Sequence, residues 1–228
     1  MTGRAWLLAP GRVPYSSALE AMRELVDRRI VGEVPDTLLL LEHEPVYTAG
    51  RRTDPSHLLM AERDLRARGA ELHHVDRGGS VTFHGPGQLV GYPIVHLGVA
   101  PSLAQHVRRM QDVVIRSCAD VGVRAAPDDE VGVWCGDRKV CAIGVKSTRR
   151  VTYHGFALNC TTDLSWFDAI VPCGLADRGV TTLSQVAGRT VTVEEMTSIV
   201  ARHFSEVFDR ELSPAPAEAA PALGRTVA

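Results

Sequence analysis

The amino-acid sequence predicts an α/β fold in which strands and helices alternate along the chain. Three observations support this prediction. Residues 37–41 form a continuous apolar run, which is typical of a strand buried on both faces of a sheet. From Leu103 to about Val121, apolar residues recur at three- and four-residue steps, which indicates an amphipathic helix. Alternating segments at residues 131–159 indicate an antiparallel meander, with a turn at residues 135–138.

The elements before the long helix follow from local patterns. Residues 4–8 predict a first strand, and residues 15–29 predict a helix with one apolar face. Residues 61–68 predict a short helix closed by Gly69. Residues 71–75 predict a strand that leads into a glycine-rich stretch.

The C-terminal part contains one further helix and then loses its apolar residues. Thr192 and Glu195 fit a capping box at the start of a helix that ends near Phe208. A chain of 228 residues with 45% hydrophobic residues can bury a core, so we expect a single domain over residues 1–211. The Ser, Pro, Ala and Glu of residues 212–228 predict a disordered tail.

Composition excludes several classes of function. A net charge of −2 and a pI of about 6.5 give no bulk electrostatic reason to expect a nucleic acid or a membrane as partner. The sequence shows neither a secretory signal nor an apolar run of about 20 residues, so we expect a cytoplasmic location. The odd number of cysteines, with no Cys-x-x-Cys pair, predicts reduced thiols. They are Cys118, Cys135, Cys141, Cys160 and Cys173.

The densest motif is the stretch of residues 77–92, which holds five glycines. Such density marks backbone in unusual conformations or close to a ligand. The stretch is not a dinucleotide-binding motif, because its third glycine comes one place late and Pro86 lacks a backbone donor. The chain also lacks a P-loop, a Gly-x-Ser-x-Gly elbow and the spacing of a zinc motif, so no metal site is predicted.

Two residues could carry chemistry. Cys173 lies between Pro172 and Gly174, a loop-like setting that a substrate can reach, so it is a candidate nucleophile or an incidental thiol. Lys139 begins an apolar strand; beside Cys173 it would stabilise the thiolate and lower the thiol pKa. The alternative is a strand-end lysine whose ammonium reaches water.

Several motifs in one order resemble the lipoyl(octanoyl)transferase family. They are residues 43–50, 77–92, 139–144, 153–159 and 171–174. The resemblance implies a mixed β-sheet flanked by helices, as in the catalytic fold of biotin and lipoate protein ligases. It also implies transfer of an octanoyl group from octanoyl-acyl carrier protein to Cys173, then to a lysine of lipoyl domains in 2-oxoacid dehydrogenases and the glycine cleavage H protein. No cofactor is implied, and we expect a monomer.

The resemblance also implies a set of site residues. Cys173 and Lys139 would be catalytic, with His154 and Gly85 in support. The residues implied to bind substrate are Arg77, Gly78, Gly79, Ser80, Val81, Thr82, Phe83, His84, Ala142, Ile143, Gly144, Gly155, Phe156 and Ala157.

Two alternatives remain open at this point. One is a lipoate or biotin protein ligase of the same fold, which would use ATP and would not need Cys173 as nucleophile. The other is a non-catalytic acyl-binding protein. The sequence leaves the acyl chain length, the acceptor proteins and the surface that docks the carrier protein undetermined.

Overall fold

The computed structural model describes residues 3–100, 102–171, 178–221 and 223. The strands in this part of the chain are β1 (Gly3–Val13), β2 (Asp36–His43), β3 (Val46–Ala49), β4 (Glu71–His74), β5 (Val81–His84), β6 (Gln88–Ile94), β7 (Val133–Cys135), β8 (Arg138–Thr148), β9 (Val151–Asn159) and β10 (Arg210–Pro214). The helices are α1 (Tyr15–Ile30), α2 (Glu62–Ala67), α3 (Leu103–Asp120), α4 (Leu183–Ala187) and α5 (Val193–Phe208).

Seven strands form a mixed sheet in the order β10–β1–β2–β6–β9–β8–β7. Strand β1 runs parallel to β2 and β10, and the other neighbours are antiparallel. Strands β7, β8 and β9 form the predicted meander. The mixed sheet flanked by helices is confirmed.

The four leucines at residues 38–41 show how the core is divided. Successive side chains of a strand point to opposite faces. Leu38 and Leu40 therefore pack with α3 and α5 on one face, whereas Leu39 and Leu41 pack with α1 on the other. All four are fully buried, as the apolar run predicts.

A second, smaller sheet carries the middle of the glycine-rich stretch, whereas the end of the stretch lies in β6 of the large sheet. Its order is β4–β3–β5, with β3 parallel to β4 and antiparallel to β5. Its apolar side chains, including Tyr47 and Phe83, pack with Phe167 and Ile170 in a separate cluster. This sheet holds residues 81–84 beside the large sheet.

Two sequence predictions are wrong in detail. Residues 212–214 are not a disordered tail, because β10 continues to Pro214 by pairing with β1. At the start of α5, Thr192 accepts a hydrogen bond from the Glu195 N–H, but the Glu195 carboxylate binds Arg189 instead of completing a capping box. Within the described residues, no helix has both the length and the apolar composition needed to cross a bilayer.

Candidate active site

The guanidinium of Arg77 organises the glycine-rich loop. It is buried, and one terminal nitrogen donates to the carbonyl oxygens of Gly78 and Ser80 at 2.9 Å each. The other donates to the carbonyl and the hydroxyl of Thr48, at 2.6 and 2.8 Å. Because both terminal nitrogens bind protein oxygens, Arg77 fixes the loop against β3.

Glycines let this loop lie directly on neighbouring backbone. A Cβ on Gly50 would lie 2.5 Å from the Gly79 carbonyl oxygen, and one on Gly144 would lie 2.9 Å from that of Gly78. Gly79 itself has a φ of 88°, which L side chains rarely adopt. The loop is therefore held between β3 and β8, where larger residues would force it away.

A cavity lies beneath this loop. Its lining includes thirteen of the residues that the sequence analysis named: Arg77, Gly79, Ser80, Val81, Thr82, His84, Ala142, Ile143, Gly144, His154, Gly155, Phe156 and Ala157. Tyr15 and Tyr92 complete it.

Three of the residues named as substrate-binding or supporting do not line this cavity. Phe83 points away from Thr82 and His84, as strand alternation requires, and it packs in the core of the small sheet. Gly85 packs against the Phe83 ring. Gly78 lines a separate outer cleft with Arg51 and Arg52.

Lys139 lines a second, smaller cavity. This cavity shares Thr82, Ala142 and Ala157 with the first cavity, so the two adjoin along the same strands. The remaining lining residues are Gln88, Asn159, Phe167 and Val180.

Lys139 is only 5% exposed, so its ammonium does not reach out to water and that alternative is wrong. Its N–H donates to the Gly179 carbonyl, and its own carbonyl accepts from the Thr181 N–H, each at 3.0 Å. These bonds attach residues 179–181 to the start of β8.

Cys173 lies outside the described residues, but the chain on either side of its segment is anchored. On one side, the Val171 N–H donates to the His57 carbonyl at 2.9 Å. On the other, Gly179 accepts from Lys139. The remaining cysteines are poor nucleophiles, because burial raises the pKa of each thiol. They are Cys118, Cys135, Cys141 and Cys160.

A directed hydrogen-bond network runs behind the cavity wall. Thr48 donates to His84 Nε2 at 3.3 Å, and His84 Nδ1 donates to Gln88 Oε1 at 2.9 Å. Gln88 Nε2 donates to Asn159 Oδ1 at 2.9 Å, and Asn159 Nδ2 donates to the Thr181 carbonyl at 3.0 Å. Because Thr181 also binds Lys139, this network joins the glycine-rich loop to the lysine strand.

His154 occupies an unusual backbone conformation at the cavity. Its φ of 57° is uncommon outside glycine, and such residues are concentrated at functional sites. Its Nε2 donates to Asp76 at 3.1 Å. Burial lowers the pKa of His154 to about 4, although Asp76 opposes this, so the imidazole is neutral at pH 7.

Asp76 holds this corner together. Burial opposes its charge, but hydrogen bonds from Lys146, His154 and Tyr153 outweigh burial and keep the pKa of Asp76 well below its usual range. A charged Asp76 therefore fixes the His154 ring. Within the described residues, no group of three or more His, Cys, Asp or Glu side chains is arranged to hold a metal ion.

Comparison with known proteins identifies the family. A sequence model of the lipoyl protein ligase A/B catalytic domain matches residues 14–205. The octanoyltransferase of Rubrobacter xylanophilus is 50% identical over 202 residues, covering 87% of this chain and 91% of that protein. This chain belongs to the octanoyltransferase family.

Two further similarities are to an animal octanoyltransferase and to the solved structure of a lipoate protein ligase. The mitochondrial octanoyl-[acyl-carrier-protein]:protein N-octanoyltransferase of Danio rerio is 45% identical and covers 89% of this chain and 92% of its own length. The bipartite lipoate protein ligase of Thermoplasma acidophilum has a TM-score of 0.76 at 19% identity, covering 94% of this chain and 87% of its own. It shares the fold. Membership of the octanoyltransferase family makes this chain an acyltransferase, so the non-catalytic alternative is wrong.

Sequence reasoning missed three aromatic residues of this octanoyltransferase site. Tyr15 and Tyr92 line the cavity, and His43 lies behind it with its Nε2 2.7 Å from the Tyr92 hydroxyl. His43 Nδ1 donates a hydrogen bond to the Val13 carbonyl, so Nε2 accepts a hydrogen bond from the Tyr92 hydroxyl. Burial lowers the pKa of His43 to about 4 and raises that of Tyr15 to about 12. The sequence feature that could have revealed this group is His43, a histidine at the end of the apolar strand β2.

Proposed function

We propose that this protein transfers an octanoyl group from octanoyl-acyl carrier protein, through a thioester on Cys173, to a lysine of a lipoyl domain. One observation carries the proposal: the cavity under the glycine-rich loop adjoins the cavity of the buried Lys139. An acyl chain bound in the first would therefore present its carbonyl towards the second.

The cavity suits a medium-length acyl chain. Val81, Ile143, Phe156 and Ala157 supply apolar wall. Burying a methylene is worth about 0.8 kcal/mol, so the six methylenes of octanoyl would contribute about 5 kcal/mol. A difference of one or two methylenes changes this little, so chain-length selection would be gradual.

The sequence position of Cys173 fits a nucleophile at this site. It follows Val171 by two residues, which limits the separation of their Cα atoms to about 7 Å. Val171 is tied to His57, and Gly179 is tied to Lys139. The segment that contains Cys173 thus begins and ends at residues whose backbone is anchored, the second of them to Lys139 itself.

The chemistry divides one difficult transfer into two steps. The Lys139 ammonium stabilises the Cys173 thiolate, which attacks the thioester carbonyl; the carrier thiolate leaves and takes a proton from Lys139. The neutral Lys139 then accepts a proton from the incoming lysine amine as that amine attacks the acyl group. An amide forms, the Cys173 thiolate leaves, and the initial ion pair is restored.

The acceptors in this proposal are the lipoyl domains of 2-oxoacid dehydrogenases and the glycine cleavage H protein. The thioester supplies the driving force, so the reaction needs no nucleotide and no cofactor. We place the enzyme in the cytoplasm, because a reducing compartment keeps a catalytic Cys173 as a thiol. We also propose that it acts as a monomer.

Intact-protein mass spectrometry tests the covalent step. The protein is incubated with octanoyl-acyl carrier protein without ATP, and we expect a gain of one octanoyl group that peptide mapping assigns to Cys173. The Cys173→Ala variant should gain none and should lose nearly all transfer to a lipoyl domain. Cys135→Ala, which removes a partly exposed thiol, is the matched control. It should retain both the octanoyl adduct and the transfer to a lipoyl domain.

Two results would contradict the proposal. One is an unchanged transfer rate in folded Cys173→Ala. The other is a requirement for ATP and free octanoate, which would favour the ligase alternative.

A further inference from the structure

Two cations approach the ring of one buried tryptophan beside the candidate active site. The Lys139 Nζ lies 4.6 Å from the centroid of the Trp134 ring, and the Arg178 Cζ lies 3.6 Å from it. Trp134 is 2% exposed. Both distances are within the range of cation–π attraction, which strengthens where water is excluded.

The indole ring is held rigidly. Its Nε1–H donates to the Glu130 carbonyl at 3.0 Å, and the Trp134 backbone exchanges two hydrogen bonds with Ala126 at 2.9 Å each. Trp134 is also the partner of Lys139 in the register of β7 and β8. Cross-strand partners in an antiparallel pair share a face, so the lysine is placed over the ring by the hairpin itself.

The path of the lysine side chain is restricted as well. A Cβ on Gly132 would lie 3.1 Å from Lys139 Cε and 3.3 Å from Cδ. The aliphatic stem therefore packs directly on the Gly132 backbone. This contact restricts the ammonium to the region of the indole ring.

Arg178, which follows Cys173 in the chain, contacts the same ring and is held there by a carboxylate. Its two terminal nitrogens bind both oxygens of Asp128, at 2.8 and 3.0 Å. This carboxylate compensates the arginine charge, which limits repulsion between Arg178 and Lys139 over the shared ring. Arg178 is therefore fixed both on the ring and on Asp128.

We propose that Trp134 is a positioning residue that holds the Lys139 ammonium on its aromatic ring, which also carries Arg178. The proposal rests on the proposed function, because it assumes that Lys139 acts on Cys173. Trp134 touches neither substrate nor thiol in this role. It sets the distance across which the lysine charge acts.

Substitution at Trp134 tests this role with a readout that a purely structural residue would not move. Trp134→Phe and Trp134→Tyr keep an aromatic face, whereas Trp134→Leu removes it. We expect Trp134→Leu to lower kcat about tenfold with little change in KM, and to raise the pH midpoint of Cys173 alkylation, followed by peptide mapping. The aromatic variants should stay within threefold of the unchanged protein.

Trp6→Leu is the matched control, because Trp6 packs on the far cluster beneath α1. It should leave kcat and the alkylation midpoint unchanged. The positioning role is wrong if Trp134→Leu leaves kcat and the alkylation midpoint unchanged, as Trp6→Leu should. It is also wrong if Trp134→Phe lowers kcat as much as Trp134→Leu does.

NMR tests the contact without any variant. The chain has only two lysines, Lys139 and Lys146, so lysine-labelled protein gives two side-chain signals. The resonances of protons that lie over an aromatic ring shift upfield. We therefore expect the side-chain resonances of Lys139 to lie upfield of their positions in Trp134→Leu. Equal chemical shifts in the two proteins would overturn the proposal. Failure of the proposed function would instead appear as no octanoyl adduct on the unchanged protein, with the Lys139 shift retained.

Discussion

Replacing Gln88 with methionine should destabilise the protein through the network behind the cavity. The Gln88 side chain is 1% exposed. It accepts from His84 Nδ1 at 2.9 Å and donates to Asn159 Oδ1 at 2.9 Å and to the Phe83 carbonyl at 3.2 Å. Methionine has a similar length but offers none of these bonds, so Gln88→Met removes the polar centre of the network with little change of volume.

The expected loss in the free energy of unfolding comes from the polar atoms that lose Gln88 as their hydrogen-bond partner. His84 Nδ1–H and Asn159 Oδ1 would each lose the partner described above, whereas the Phe83 carbonyl has a second lone pair. A buried polar group left unsatisfied costs about 1–3 kcal/mol, so the two groups together predict a loss of about 2–6 kcal/mol in the free energy of unfolding. The apolar atoms that methionine adds recover roughly 1 kcal/mol of this at most.

Urea unfolding followed by circular dichroism measures this loss. Gln105→Met is the matched control, because Gln105 is exposed on α3, and a surface change of this kind stays within about 0.5 kcal/mol. A Gln88→Met protein within about 0.5 kcal/mol of the unchanged protein, the range of surface substitutions, would refute the assignment of these bonds.

A second substitution separates hydrogen bonding from packing. In Gln88→Glu the carboxylate can still accept from His84, but it meets the oxygens of Asn159 and Phe83 where the amide donated. Protonation restores one donor, so the native state raises the pKa of this carboxyl and binds a proton more tightly than the unfolded state. The stability deficit of Gln88→Glu should therefore shrink as the pH falls from 7 to 5, whereas that of Gln88→Met should not.

Two further predictions concern the sheet and the buried histidines. A methyl on Gly155 would overlap the Gly91 carbonyl of the adjacent strand, so Gly155→Ala should cost at least about 2 kcal/mol by urea unfolding; Gly179→Ala, whose methyl meets nothing closer than 3.8 Å, should not. Burial lowers the pKa of His43 and His154 to about 4, so the unfolded chain takes up protons below about pH 6.5 while the folded one does not. Stability should therefore fall by roughly 2 kcal/mol per histidine between pH 7 and pH 5, and a constant free energy of unfolding over this interval would contradict it.

Local patterns predict most of the fold because they fix which faces are buried. The leucines of β2 and the apolar face of α3 need only strand or helix periodicity to be recognised. Strand β10 could not be predicted from a local pattern. Arg210–Pro214 is polar and ends in proline, and it becomes a strand only by pairing with β1, about 200 residues earlier in the chain. No local pattern carries that pairing.

The site is predictable where backbone shape or reactivity determines the residue. Glycine density located the loop, the apolar strand around Lys139 singled out that lysine, and the motif resemblance named most of the residues that line the cavity. Tyr15 and Tyr92 were missed because a tyrosine at the start of an amphipathic helix or in an apolar strand is ordinary core. The Trp134–Lys139 pair was accessible, since a tight turn at residues 135–138 sets the register that makes them neighbours.

The structure also changes what Arg77 contributes to catalysis. Sequence resemblance placed it among residues that bind substrate, and its side chain does line the cavity. Both terminal nitrogens of its guanidinium, however, donate to oxygens of Thr48, Gly78 and Ser80, so they do not form an open fork for an anion. Arg77 thus shapes the cavity wall. A buried lysine and an apolar cavity would suit a ligase of this fold equally well, so the family match separates transferase from ligase, and Cys173 decides only whether the transfer passes through a thioester.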